Sequence, residues 1–181
     1  NINSKFNISV IPYPIDRNAF FPSNKKKSRE LLSLPQDKFL ILFNAANLNA
    51  SVKGYKLACE SISITKKQIP NLKLHVVTGI SYHELPNHVN SCDLILLTSK
   101  KEGWPNSIKE ALACNIPFVS TDVSDLSLIA NKELSCRVVD RDPHIISKNI
   151  IEVLNLSQKT NLVKYIENMD IVPTTEKLLN L

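Results

Sequence analysis

The chain reads as an α/β protein, a Rossmann-like three-layer α/β/α domain with a mostly parallel central sheet, and three observations predict it. Short apolar runs alternate with amphipathic stretches of about 10 to 15 residues, the pattern of strand-helix-strand units wound on a parallel sheet. Residues 39–45 are almost continuously apolar, as a strand covered by helices on both faces has to be. Glycine is scarce, 3 in 181 residues, and Gly54, Gly79 and Gly103 each follow such a run. In an open parallel sheet the ligand crevice lies beyond the carboxyl ends of the strands, where backbone must approach closely or take positive φ. The three glycines therefore point to one edge of the sheet.

Taken in order, residues 10–12 make a short extended start, 16–23 a proline-bounded turn and 28–33 a helix. Strand 39–45 leads to a helix over 53–67, where Leu57, Ala58, Ser61, Ile62, Ile64 and Thr65 recur at mixed helical spacing before Pro70 closes the stretch. Further strands are predicted at 72–78, 93–98, 118–120 and 135–139, and helices at 84–91, 107–114 and 145–156, with helical pieces continuing to 181. There is no internal repeat and no low-complexity linker, so residues 1–181 are read as a single domain, of which 157–181 form C-terminal helices.

Composition narrows the function classes. Hydrophobic residues are 43% and charged residues 22%, ordinary for a globular fold, and no run approaches the roughly 18 apolar residues of a membrane span. Twenty-two Lys and Arg against 17 Asp and Glu leave a net charge of +5, which suits an anionic ligand or a lipid surface. The dense basic run Lys25-Lys26-Lys27 has no interleaved aromatics, so it is read as a solvated turn and no nucleic-acid partner is expected. Cys59, Cys92, Cys114 and Cys136 are too far apart for a metal clip and each sits in an apolar stretch, which predicts free buried thiols in a reducing compartment. His75, His83, His88 and His144 also lack metal spacing; His83 stands close enough behind Gly79 to touch a base. No metal cofactor is expected. The first seven residues lack the regions of a secretory signal, and the chain is read as a fragment of a longer cytoplasmic protein.

The informative segment runs from Lys101 through Glu102, Gly103, Trp104, Pro105, Asn106 and Ser107 to Glu110, and on to Asn115 and Pro117. Pro105 sets a turn, Asn106 or Ser107 can cap the helix that follows, and the unpaired N–H groups of its first turn make an anion site suited to a diphosphate. Neither a Walker sequence nor GxGxxG is present, which removes the main support for an ATPase or a dinucleotide enzyme. Glu102 and Glu110 can meet at the crevice, where a carboxylate accepts several hydroxyl hydrogen bonds. Ser107 and Glu110 also have capping-box spacing, in which Glu110 would serve the backbone. Trp104 either packs on a bound sugar or wedges its loop. Asn115 can take the left-handed position that ends the helix, and Pro117 prevents its continuation.

The pattern from Glu102 to Pro117, with 92–99 before it and 118–122 after it, resembles the E-x7-E region of the retaining GT-B glycosyltransferases of family 4. Val10-Ile11-Pro12 with Asp16 and Phe20 looks like that family's interdomain segment, placed here at 1–20, and Lys53-Gly54 matches its Lys-Gly pair. The resemblance implies the donor-binding C-terminal half of a GT-B fold, with a nucleotide sugar as substrate and an acceptor-binding N-terminal domain outside the chain. Glu102 would contact the donor sugar and is the candidate catalytic residue, and Glu110 would hold the ribose. Lys53, Gly54 and the Gly103-Trp104-Pro105-Asn106-Ser107 segment would bind the rest of the donor. The Pro-Asn form of the motif resembles transferases of bacterial capsule or cell-envelope polysaccharide, which implies a lipid-linked or membrane-surface acceptor and a cytoplasmic protein peripheral at the inner membrane face. Asn47 stands where the family often has an arginine, leaving Lys53 as an exposed sole cation, and the chain reaches Glu84 without the strand usual after the Gly79 position. The rivals are a GT-B sugar epimerase and a non-catalytic Rossmann-like nucleotide-binding module.

Overall fold

Five strands form one all-parallel sheet in the computed structural model, which describes residues 13–156 and 160–179. They are β1 (Phe39–Asn44), β2 (Leu72–Val77), β3 (Leu94–Leu97), β4 (Phe118–Thr121) and β5 (Arg137–Val139), in the order β2-β1-β3-β4-β5. The helices are α1 (Lys25–Leu31), α2 (Tyr55–Thr65), α3 (Leu85–Asn90), α4 (Asn106–Ala113), α5 (Ser127–Ala130), α6 (Pro143–Leu154) and α7 (Ile171–Leu179). Because β1 leads to β2 on one side while β3 returns to its other side, the crossovers reverse direction at β1. A crevice opens at that reversal, beyond the carboxyl ends of β1 and β3.

Alternation along each strand makes two cores. Leu40, Leu42, Ile95, Leu97 and Phe118 face one layer with Val89, Ile108 and Leu112. Ile41, Phe43, Leu94, Leu96 and Val119 face the other with Ala58, Ile62, Ile146 and Ile150. Burial on both faces is why these strands read as unbroken apolar runs. The segment through Ile15 pairs in parallel with Asp170, and the Ile15 N–H donates to the Met169 carbonyl at 2.8 Å.

Two sequence expectations need correction, and one is refined. Lys25 to Lys27 are exposed as expected but open α1 instead of a turn: the Asn24 carboxamide oxygen accepts from the Lys27 N–H at 3.1 Å, and Lys25 Nζ reaches Asp93 at 2.6 Å. Asp93 also takes Arg29 at 2.8 Å and the Leu40 N–H at 2.7 Å, so Lys25 and Arg29 are tied down by a carboxylate 68 residues from Lys25. Cys92, Cys114 and Cys136 are buried free thiols, but Cys59 is only half-buried. Burial pushes the Cys92 and Cys114 thiols up to about 12. Within 157–181 the described residues form two short 3-10 turns, Val163–Tyr165 and Glu167–Met169, before α7. The extended start at 10–12 lies outside the described residues.

Candidate functional site

A cleft of about 550 Å³ lies at the carboxyl end of β1, and its walls come from four stretches of chain. Asn44, Ala45 and Ala46 supply the floor; Lys53 stands on one side; Gly79, Ile80, Ser81, Tyr82 and Leu85 form the second wall; Glu102, Trp104, Pro105, Asn106, Ser107 and Glu110 form the third. Seven of the residues expected from the sequence are thus gathered here, the two glycines Gly54 and Gly103 standing outside.

Those two glycines differ in kind. Gly54 has φ +68°, and a Cβ there would collide with the Thr98 carbonyl oxygen, so α2 can start this close to β3 only through a glycine. The Thr98 hydroxyl donates to the Lys53 and Gly54 carbonyls at 3.0 and 2.9 Å, which fixes where the Lys53 side chain leaves the backbone. Gly103 has neither a positive φ nor any neighbour within 4 Å of a Cβ built on it, so the close-approach argument fails at that position. Gly79 satisfies it, with φ +66°, and lines the cleft.

Lys53 is the only cation lining the cleft among the described residues, but it is not the exposed charge expected from the sequence. Its Nζ lies 2.7 Å from Glu102 Oε1, the same oxygen that accepts from Ser99 Oγ at 2.6 Å. Ser99 is held in turn, its carbonyl accepting from Thr121 Oγ1 at 2.6 Å. Asn47, at the position of the missing arginine, accepts the Asn49 N–H at 2.9 Å through its side chain and shapes the turn before Lys53.

The first turn of α4 is uncapped. Pro105 occupies the N-cap and no side chain accepts from the turn, so the expectation that Asn106 or Ser107 caps the helix is corrected, and the capping-box role of Glu110 falls with it. Pro105 takes the position because it needs no N–H partner and its φ suits the turn. The N–H groups of Asn106 and Ser107 are then donors without an intrahelical partner, at the cleft wall where the helix dipole is positive. At the other end Asn115 has φ +60°, as expected; its N–H donates to the Leu112 carbonyl at 3.0 Å and that of Ile116 to Ala111 at 2.8 Å. The Asn115 side chain also donates to the Thr160 carbonyl at 2.9 Å and accepts the Leu162 N–H at 2.8 Å, tying down the C-terminal segment as glycine could not.

Glu110 is 8% exposed, and its Oε2 has no hydrogen-bond partner among the described residues. Burial pushes its carboxyl up to about 7, against the pull of Lys109 and Asn44 beside it. A carboxyl so placed stands at the cleft wall with acceptor capacity to spare, at a desolvation cost.

Sequence reasoning missed several wall residues. Tyr82, stacked edge to face on buried Phe20 at 5.5 Å between centroids, lines the cleft, whereas exposed His83 does not. The signal was the glycine at 79, which marked the loop but not which side chain turns inward. Lys109 was also passed over: it is 1% exposed and donates to the Tyr13 carbonyl at 2.7 Å. Trp104 lines the cleft and packs against the core. His75 and His88 form a pair away from the cleft, Nε2 to Nδ1 2.8 Å apart, and burial lowers His75 to about 4. No group of three metal-ligating side chains occurs among the described residues.

The strand order, the helix layers and a polar cleft at the reversal define a C-terminal Rossmann-like half of the GT-B fold. Sucrose-phosphate synthase of Thermosynechococcus elongatus superposes with a TM-score of 0.77 at 16% identity over 95% of this chain and 51% of that one. HepE of Anabaena, solved with UDP and glucose, superposes at 0.73 with 15% identity over 95% and 55%. The family description "Glycosyl transferases group 1" matches residues 76–156. TuaC of Bacillus subtilis strain 168, named for teichuronic acid biosynthesis as a glycosyltransferase, is 27% identical over 143 residues, 71% of this chain and 37% of its own length. The chain has the fold of a C-terminal GT-B half and is similar over residues 76–156 to the group 1 glycosyltransferases. It spans a little over a third of the relative's length.

Proposed function

We propose that the chain is the donor-binding domain of a retaining glycosyltransferase that moves a hexosyl group from a nucleotide sugar, in capsule or cell-envelope polysaccharide synthesis. One observation carries most of the weight: a single cleft at the carboxyl edge of the sheet combines an uncapped helix start, one cation and two carboxylates. The Asn106 and Ser107 amides would hold the diphosphate and Lys53 would add its charge, so that the leaving group is stabilised electrostatically without a metal ion. When Lys53 turns to phosphate it releases Glu102, whose carboxylate is then available to the sugar hydroxyls as the candidate catalytic group. Glu110 would accept from the ribose hydroxyls.

On this proposal the acceptor, lipid-linked or at the inner membrane face, is held by a second, N-terminal domain outside these 181 residues, and the domain alone binds donor but turns over slowly. Among the described residues no helix is long and apolar enough to cross a membrane. The polysaccharide assignment draws support from TuaC and the donor class from HepE.

Titration calorimetry with UDP, UDP-glucose, GDP-mannose and ADP-glucose tests the proposal. At least one should bind below millimolar concentration, and Lys53→Ala should weaken it by roughly 1.5 to 3 kcal/mol, the range of charged hydrogen bonds. Absence of binding across the panel would turn the domain into a non-catalytic relative of the fold.

A further inference from the structure

Lys109 is the most deeply buried cation beside the cleft. Its ammonium donates to the Tyr13 carbonyl, 96 residues away in sequence, and stands 5.3 Å from the Tyr13 ring and 5.8 Å from the Trp104 ring. Both ring distances lie within the range of cation–π attraction, which desolvation strengthens. The charge has no carboxylate within ion-pair distance among the described residues, although Glu110 is the next residue in α4. Burying an ammonium without a counter-ion is costly, and burial does lower the Lys109 pKa, while Glu110 opposes that effect. A purely structural position would be filled more cheaply by Leu or Met.

We propose that Lys109 is the positioning residue of the cleft: it ties the segment through Tyr13 to Trp104, and it supplies the positive charge against which the Glu110 carboxylate is presented to a ligand's hydroxyls. The proposal rests on the donor-binding function above and adds the residue that tunes it. Glu110 is faced by Asn44 from β1, the Tyr82 phenol from the loop after β2, Lys109 from α4 itself and the Cys114 thiol just past its end. The third wall also holds Glu102, whose charge is countered by Lys53 at 2.7 Å, and Asp16 acts on Tyr82 from beyond it. Lys109 is therefore the one positive charge in this set not already committed to a carboxylate. Because a protonated Glu110 accepts fewer hydroxyls, donor affinity should rise as pH climbs through about 7 and then level off. Removing the Lys109 charge should move that midpoint upward.

The experiment is a titration from pH 5.5 to 8.5 with whichever of UDP-glucose, GDP-mannose and ADP-glucose binds, on the 181-residue chain and on Lys109→Met, Lys109→Gln and Lys109→Arg. Both neutral variants should shift the affinity midpoint up by about half a pH unit or more, with several-fold weaker binding at pH 7, and Lys109→Arg should restore it. Trp104 is the chain's only tryptophan, so its acrylamide quenching reports the tie directly; it should rise in the neutral variants and return with Arg. Folded neutral variants with the wild-type midpoint overturn the inference. If neither neutral variant folds, the wild-type chain still decides: donor binding near pH 7 must release a fraction of a proton, read in buffers of different ionisation heat, and no release overturns it. Failure of the wild type to bind any donor overturns the donor-binding function instead.

Discussion

Glu102 and Glu110 stand on the same wall of one cleft and have opposite environments. Glu102 is served twice, by Lys53 at 2.7 Å and Ser99 at 2.6 Å on a single oxygen. Glu110 is buried, has an oxygen with no partner among the described residues, and holds its proton up to about pH 7. Two carboxylates eight positions apart thus carry different tasks. The first is paired with a cation, which on the proposed function a phosphate would take over, and the second has an acceptor oxygen without a partner among the described residues. The lesson is that a motif written as two equal glutamates describes two unequal chemical states, separated by burial and partners.

The harshest way to break the Glu102 side is Gly54→Ala. Positive φ and the collision with the Thr98 carbonyl together should destabilise the fold by about 3 kcal/mol, since strain and displacement of α2 add. Lys53 would then lose its place opposite Glu102. Chemical denaturation reads the loss, and a midpoint within error of wild type would show that α2 shifts freely.

Glu110→Gln sharpens the other side. A carboxyl whose folded pKa is raised by burial to about 7, above its ordinary value, contributes stability below the unfolded pKa and loses it as pH rises through 7. The variant removes the ionisation cost, so its unfolding free energy should exceed that of wild type at pH 8 by an amount on the order of 1–3 kcal/mol and approach it at pH 5. Donor affinity should fall at the same time. Equal melting curves at pH 8 would mean that Glu110 reaches water. His75 has the opposite sign: lowered to about 4, it should cost stability as pH falls below 6.5, so the comparison is cleanest above that pH.

The smallest effect is the control. Gly103→Ala lies between the two glutamates, meets open space and needs no special φ, so its stability should stay within about 0.5 kcal/mol of wild type. A larger loss would show that the loop carrying Glu102 depends on glycine after all.

Much of the architecture was legible locally. The strands at 39–45, 72–78, 93–98, 118–120 and 135–139 all appear, shortened by a residue or two at their ends or, for the fourth, one residue longer. Burial on two faces leaves an unbroken apolar run that can be read without knowing the neighbours. Asn115 was legible as a helix stop for a similar reason, since its backbone conformation is a local matter. Its clamp on Thr160 and Leu162 was not, because those partners lie 45 and 47 residues away.

The sequence by itself determined the sheet and the edge at which the cleft opens, because hydrophobic period, proline and glycine act within a few residues of themselves; that Lys53, Glu102 and Glu110 belong to one site came from the resemblance to a family. The tertiary structure alone decided that Lys53 is paired rather than exposed, that Pro105 starts α4 without a side-chain cap, that Tyr82 rather than His83 turns inward, and that Lys109 is buried. The outcomes for Lys53 and Lys109 depend on desolvation and on a partner far along the chain, 49 residues for Lys53 and Glu102 and 96 for Lys109 and Tyr13. Neither quantity leaves a mark in the neighbouring residues, so it exists only once the chain has folded.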